Sequence, residues 1–269
     1  MSKHTPPRKV LETSLHTTPN TRFIVTMYHS SRRRTLEEKG IVKIPPVFTP
    51  QECALMKSNA YSISDQEIKA SGYPHVPSEQ AYNKKSLIFF PALANGYLNN
   101  IRIDMRMSLI VQELIGNNVK QINNQVYFRE AGDTDTFAWH RDTIFRESSQ
   151  FADTVETDYL QTVIAVDAIT EDNGAVEFIE GSHLWPEFAP PSDLRKFERG
   201  DLSGTKYTAN QGDILIWSVK IVHGSEANSS DRPRMTYMNG FCKSESVIDY
   251  PTYIINGKVV PHINPERIP

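Results

Sequence analysis

Residues 212–234 read GDILIWSVKIVHGSEANSSDRPR, and this stretch decides the fold class. Gly212-Asp213 is a turn dipeptide. Ile214-Leu215-Ile216-Trp217 is a short unbroken apolar run, the pattern of a strand covered on both faces. Working outward, short strands are predicted at 213–218 and 233–241, and earlier at 121–129, 160–168 and 174–180. A hairpin is predicted at 251–260, where Asn256-Gly257 lies between apolar segments; Asn173-Gly174 is a second turn dipeptide. Before residue 118 the pattern is helical. Thr49-Pro50-Gln51-Glu52 is a capping box with proline at the first helical position, and it predicts a helix to about Ala60. Ile101, Met105, Leu109 and Leu114-Ile115 recur at helical spacing and predict one helix over about 97–115, stopped at Gly116-Asn117. Helices first and many short strands afterwards predict an α+β fold with a sandwich or barrel core.

The chain has 269 residues, 39% hydrophobic and 23% charged, an ordinary globular balance. A net charge of −3 argues against a general nucleic-acid binder. No apolar run approaches the ~20 residues of a membrane-spanning helix, so no membrane partner is expected. Cys53 and Cys242 are read as reduced buried thiols. The N-terminus lacks the apolar core of a secretory leader, and a cytoplasmic location is expected. Residues 1–35 carry Lys3, Arg8, Lys9, Arg22 and Arg32–Arg34 against the single acid Glu12. They read as a basic, loosely ordered extension, with a transit peptide as the alternative, ahead of a folded domain over 36–269. The stretches 62–86, 143–159 and 184–206 are long for plain connections and are expected to act as lid and specificity loops.

The chemistry starts at Trp139-His140-Arg141-Asp142. On an extended strand, residues i and i+2 point the same way, so His140 and Asp142 can meet at one point. Together they form two-thirds of the 2-His-1-carboxylate triad of non-haem Fe(II) oxygenases. Alone, the pair equally fits a core histidine or a surface His–Asp contact. His223, just beyond the apolar strand, can supply the third ligand. An arginine of Asp231-Arg232-Pro233-Arg234 can pair bidentately with a carboxylate without losing its charge. A metal with open positions plus an anchored arginine suits a dicarboxylate cosubstrate. Strand alternation turns Arg141 away from the metal, to the pocket rim or to an acid of the barrel.

Three motifs, WHRD at 139–142, NGAVEFIEGSH at 173–183 and the 212–234 stretch, occur in one order. Over roughly 36–241 the chain resembles the phytanoyl-CoA dioxygenase (PhyH) family of Fe(II)/2-oxoglutarate-dependent oxygenases. The resemblance implies a double-stranded β-helix, a jelly-roll, cupin-like barrel with the N-terminal helices packed on one side. It implies His140, Asp142 and His223 as iron ligands, Arg234 as the anchor of the distal carboxylate of 2-oxoglutarate, and Ser225 as its hydrogen-bonding helper. Arg232 is the competing anchor. Gln125 contacts the cosubstrate or lines the pocket, Thr162 or Val163 faces it, and His183 is structural. The carboxylate at 142 disfavours the family's halogenase variant, which lacks it. The activity implied uses Fe(II), 2-oxoglutarate and O2, releases succinate and CO2, and hydroxylates an unactivated C–H of a small metabolite or natural-product intermediate. An acyl-CoA hydroxylase is the alternative within the family. It would want a basic mouth, but Arg195, Lys196 and Arg199 are interleaved with Asp193, Glu198 and Asp201. A non-catalytic barrel and a cupin-like metal enzyme that does not use 2-oxoglutarate are the alternatives outside it. A monomer or a homodimer is expected.

Overall fold

The computed structural model describes residues 31–63, 87–145, 159–185, 203–247 and 250–265. The basic extension up to residue 30, most of the three expected lid loops, and Arg195, Lys196 and Arg199 lie outside the described residues. Residues 31–39 form a first helix, α1, which carries Arg32–Arg34. Helix α2 spans Pro50–Ser62, and its capping box forms as the sequence predicts: Thr49 Oγ1 accepts from Glu52 N, and Glu52 accepts from Thr49 N.

The single helix expected over 97–115 is instead two, α4 at Gly96–Arg102 and α5 at Met105–Leu114, after a short α3 at Pro91–Ala94. The break has a local cause. Asp104 Oδ1 accepts from Arg106 N at 2.8 Å, so the carboxylate caps a new helix rather than riding inside an old one. The restart rotates the apolar stripe. Met105 and Leu109 are 69% and 53% exposed, while Met107, Ile110 and Val111 turn to the core.

The strands make two antiparallel sheets. The larger contains β1 (Ile41–Ile44), β2 (Leu87–Phe89), β3 (Val119–Arg129), β5 (Leu160–Ala165), β8 (Ile214–Ser218), β10 (Arg234–Lys243), β11 (Thr252–Ile255) and β12 (Lys258–Val259). Its order is β1-β8-β5-β10-β3-β11-β12, with β2 also paired to β3. The smaller runs β4-β9-β6-β7, from β4 (Phe137–His140), β9 (His223–Ser225), β6 (Val176–Phe178) and β7 (Thr205–Tyr207). The short β1, β2, β4, β7 and β9 fall outside the strand ranges expected from the sequence.

Every residue of β8 is buried, because its two faces meet different cores. Ile214 and Ile216 pack with Val126, Phe128 and Tyr237 beneath Met56, Leu98 and Met107 of the helices. Leu215 and Trp217 join Ile41, Val163 and Ala165 against Ala175 and Phe178 of the smaller sheet. Two facing sheets with helices on one outer side are the double-stranded β-helix that the resemblance implies. Gly212, at φ +87°, makes the turn into β8; a Cβ there would run into Phe48 O. No helix among the described residues is long and apolar enough to cross a membrane.

Candidate active site

His140 ends β4 and His223 begins β9, and the two residues are directly opposed in the smaller sheet, with ring centroids 4.3 Å apart. Asp142 does not continue the strand. It opens a short 3₁₀ turn, Asp142–Phe145, and its N–H is tied to Val219 O at 3.0 Å. The convergence expected from strand alternation is therefore made by a strand end followed by a turn. Arg141 is correspondingly not at a pocket rim: it is 7% exposed and Nη2 donates to Ser182 O at 3.1 Å.

His140, Asp142 and His223 offer ligand atoms within 4.8 Å of one another. Asp142 Oδ1 lies 3.7 Å from His140 Nε2 and 3.6 Å from His223 Nε2. Each imidazole has its other nitrogen against a carbonyl, Ala138 O at 2.7 Å for His140 Nδ1 and Ile221 O at 3.0 Å for His223 Nδ1. A carbonyl only accepts, so both Nδ1 atoms carry the proton. Both Nε2 lone pairs are then left for the common point between them. Asp142 Oδ2 accepts from Trp217 Nε1 at 3.1 Å, which leaves Oδ1 toward the histidines. Burial works to raise the Asp142 carboxyl, but His223 and His140 overcome it and hold the group below its ordinary value. Burial lowers His223, the neutral state a ligand requires. Phe178 stacks on His223 with centroids 5.5 Å apart and fixes the ring plane. Burial works to lower His140, but its contacts with Asp142 and Ala138 O overcome it and raise the imidazole above its ordinary value, so His140 would give up its proton on ligating a metal. Two imidazoles and one carboxylate offering atoms to a common point would suit a divalent iron.

Arg234 begins β10, directly across from Arg129 on β3. It is 5% exposed, Nη1 donates to Gly174 O, and Nε has no partner. Burial, helped by the neighbouring Arg129 charge, pulls its guanidinium down to about 10. Ser225 stands two residues beyond His223, but its hydroxyl accepts from Arg129 Nη2 at 2.8 Å; no bond to Arg234 is formed. Arg232, the competing anchor, has a side chain 63% exposed and pairs with Asp172 at 3.5 Å, so it does not enter the barrel.

Gln125 is half-buried on β3, on the face shared with Tyr127 and Arg129, and opposes Met238. Thr162 turns away and donates to Asn239 O at 2.9 Å, while Val163 belongs to the inner cluster. His183 donates from Nε2 to Glu37 O at 3.0 Å and pins the Ser182–Leu184 turn to α1. Sequence reasoning missed Arg129, Trp217 and Phe178. Arg129 carried one usable signal, the spacing Gln125-Tyr127-Arg129 on one strand face.

A double-stranded β-helix with two histidines and a carboxylate converging inside it is the architecture of cupin-like non-haem iron oxygenases. Residues 36–236 match the model of the phytanoyl-CoA dioxygenase (PhyH) family, and the chain belongs to this family of Fe(II)- and 2-oxoglutarate-dependent dioxygenases. It is 36% identical over 72 residues to the multifunctional dioxygenase prhA of Penicillium brasilianum, covering 26% of this chain and 24% of that protein. The chain thus spans about a quarter of the length of that curated relative. A longer match, 22% identical over 238 residues, is to a probable alpha-ketoglutarate-dependent hypophosphite dioxygenase of Stutzerimonas stutzeri, covering 81% of this chain and 79% of that one. Among solved structures, the epimerase SnoN in complex with Fe3+, alpha ketoglutarate and nogalamycin RO superposes with a TM-score of 0.63 at 15% identity, over 87% of this chain and 88% of that one. That likeness carries the fold.

Proposed function

We propose that this chain is an Fe(II)- and 2-oxoglutarate-dependent oxygenase that hydroxylates an unactivated C–H of a small metabolite or natural-product intermediate. One observation supports the reading most: His140, Asp142 and His223 offer three convergent ligand atoms, and among the described residues the buried Arg234 has no carboxylate partner. His223 and Ser225 lie two residues apart on one face of β9. That spacing is about 6.6 Å along a strand, close to the span of a five-carbon dicarboxylate.

His140, Asp142 and His223 would hold the iron. Arg234 takes the distal carboxylate of 2-oxoglutarate, which sets the 2-oxo acid end toward the metal. Gln125 lines the pocket between. Iron, 2-oxoglutarate and O2 together supply the oxidising power, with succinate and CO2 released. The chain's part would be to orient the cosubstrate, keep bulk water from the site and position one C–H of the substrate beside it. Apolar walls from Val163, Leu215 and Phe178 exclude water on the sheet side.

The test is anaerobic titration with Fe(II) and then 2-oxoglutarate, read by the visible metal-to-ligand charge-transfer band. A band is expected in the wild type, with loss in His223→Ala and a large rise in the 2-oxoglutarate concentration needed in Arg234→Met. A folded wild type that binds iron but gives no band overturns the reading.

A further inference from the structure

Arg129 belongs to none of the three sequence motifs, yet it carries the same physical signature as Arg234. It is 1% exposed and directly opposes Arg234 across the β3–β10 pair. Among the described residues, neither guanidinium has a carboxylate within ion-pair distance. Arg129 donates from Nη1 to Asp135 O and Glu226 O, both at 2.7 Å, and from Nη2 to Ser225 Oγ at 2.8 Å. The Nε of Arg129 and the Nε of Arg234 are both buried and unpartnered. Two adjacent buried cations repel each other, and burying a charge without a counter-charge is costly.

A structural buried arginine in this protein looks different. Arg102 is equally covered, but Nε, Nη1 and Nη2 reach Asn99 Oδ1, Gln121 Oε1, Val260 O and Pro261 O, and no nitrogen is left over. The backbone beside Arg129 is also cleared: a Cβ on Gly174 would lie 3.2 Å from Arg129 Nη1 and 2.9 Å from Glu226 O.

We propose that Arg129 is a second cationic determinant of cosubstrate binding, which gives the distal-carboxylate pocket two positive charges and fixes Ser225 as a donor toward the ligand. The inference rests on the function proposed above and deepens it. A hydroxyl has one hydrogen and accepts through its lone pairs, and a guanidinium never accepts. With Arg129 already donating to Ser225 Oγ, the Ser225 hydrogen is free to turn to a carboxylate oxygen. The result is a pocket that discriminates steeply between a dicarboxylate and a 2-oxo acid with an uncharged tail.

The experiment measures binding, not turnover. Wild type, Arg129→Gln and Arg129→Lys are loaded anaerobically with Fe(II). Each is titrated by calorimetry with 2-oxoglutarate and with 2-oxobutyrate, which keeps the 2-oxo acid head and lacks the distal carboxylate. Arg129→Gln is expected to weaken 2-oxoglutarate about ten- to hundredfold, from the loss of a charge-assisted contact, and to leave 2-oxobutyrate unchanged. Arg129→Lys is expected to fall between. If both ligands weaken equally, or 2-oxoglutarate does not weaken, Arg129 is only a tie between the β3–β4 connection and β9. Should Arg129→Gln fail to fold, the ratio of the two affinities in Arg129→Lys decides by the same criterion. A wild type that binds no 2-oxoglutarate overturns the function itself, an outcome distinct from either.

Discussion

Trp217→Phe isolates one hydrogen bond at the proposed metal site. The Trp217 indole is 2% exposed, and Nε1 donates to Asp142 Oδ2 at 3.1 Å while Oδ1 faces the two histidines. The ring also packs on Phe178 and His223, with centroids 5.3 and 5.7 Å away. Phenylalanine keeps much of that packing and removes only the N–H. A hydrogen bond to a charged acceptor contributes about 1.5–3 kcal/mol, and a buried carboxylate oxygen left bare loses that stabilisation in the geometry iron needs. Taking about 2 kcal/mol, Fe(II) affinity should fall about thirtyfold, inside the range typical of groups that orient metal ligands. The assay is anaerobic Fe(II) competition against a calibrated chelator. Phe178→Leu is the control: it removes the ring stacked on His223 and leaves the Trp217–Asp142 bond, so it should lower stability more than iron affinity. If Trp217→Phe binds iron within about threefold of wild type, less than about 0.7 kcal/mol, the indole does not orient Asp142 and the argument for one free carboxylate oxygen fails.

Glu52 accepts from Arg106 in an ion pair at 2.6 Å and from the Thr49 cap, and these bonds hold its carboxyl down at about 2. A carboxyl lowered on folding stabilises the protein above its unfolded value of about 4.3 and loses that contribution as pH falls toward the folded value. Glu52→Gln should therefore cost about 1 kcal/mol near pH 7, discounted for solvent screening, and almost nothing near pH 2, read as the gap between melting temperatures along a pH series. An unchanging gap would refute the linkage. Arg234→Met should leave the ligand-free melting temperature equal or raised, since it removes one of two repelling buried cations. Arg102→Met should instead cost about 3 kcal/mol, because four acceptors lose their donor. The reverse order in differential scanning fluorimetry would make Arg234 structural.

What the sequence made legible is what depends on neighbours in the chain. The α2 cap needs only Thr49 and Glu52, three residues apart. The β8 run is unbroken because one face meets the helices and the other the smaller sheet, and four apolar residues in a row report this directly. The Asn256-Gly257 turn forms with positive φ at both residues, 49° and 75°, as that dipeptide favours. What stayed hidden depends on pairings between distant segments. Ser225 is on the expected face of β9; the spacing on β3 places Arg129 on the face of Gln125, but that its guanidinium reaches Ser225 is set by how the distant β3 and β9 lie together. Trp217 reads as one more apolar residue until the 3₁₀ turn brings Asp142 beneath its N–H. The helix break at Asp104 was readable in principle. An aspartate ahead of Met105-Arg106 is a capping signal, and the regular stripe across it outweighed that signal.

The sheet pleat also explains why the class of chemistry is more legible than the substrate. Alternation along each strand puts His223 and Ser225 on one face of β9 and Gln125, Tyr127 and Arg129 on one face of β3, and of these only His223 and Ser225 fall within a short motif. Phe137, at the start of β4, is 39% exposed although it packs on Tyr127 at 5.5 Å and reaches His140 at 6.2 Å between ring centroids. An aromatic ring partly open to solvent beside a proposed metal ligand is surface that a bound molecule can cover. Strand positions are constrained by pairing, and the proposed iron ligands His140 and His223 sit on them. Positions beyond the strands are free of that constraint, so in a fold of this kind substrate contacts can change without disturbing the sheets beneath them.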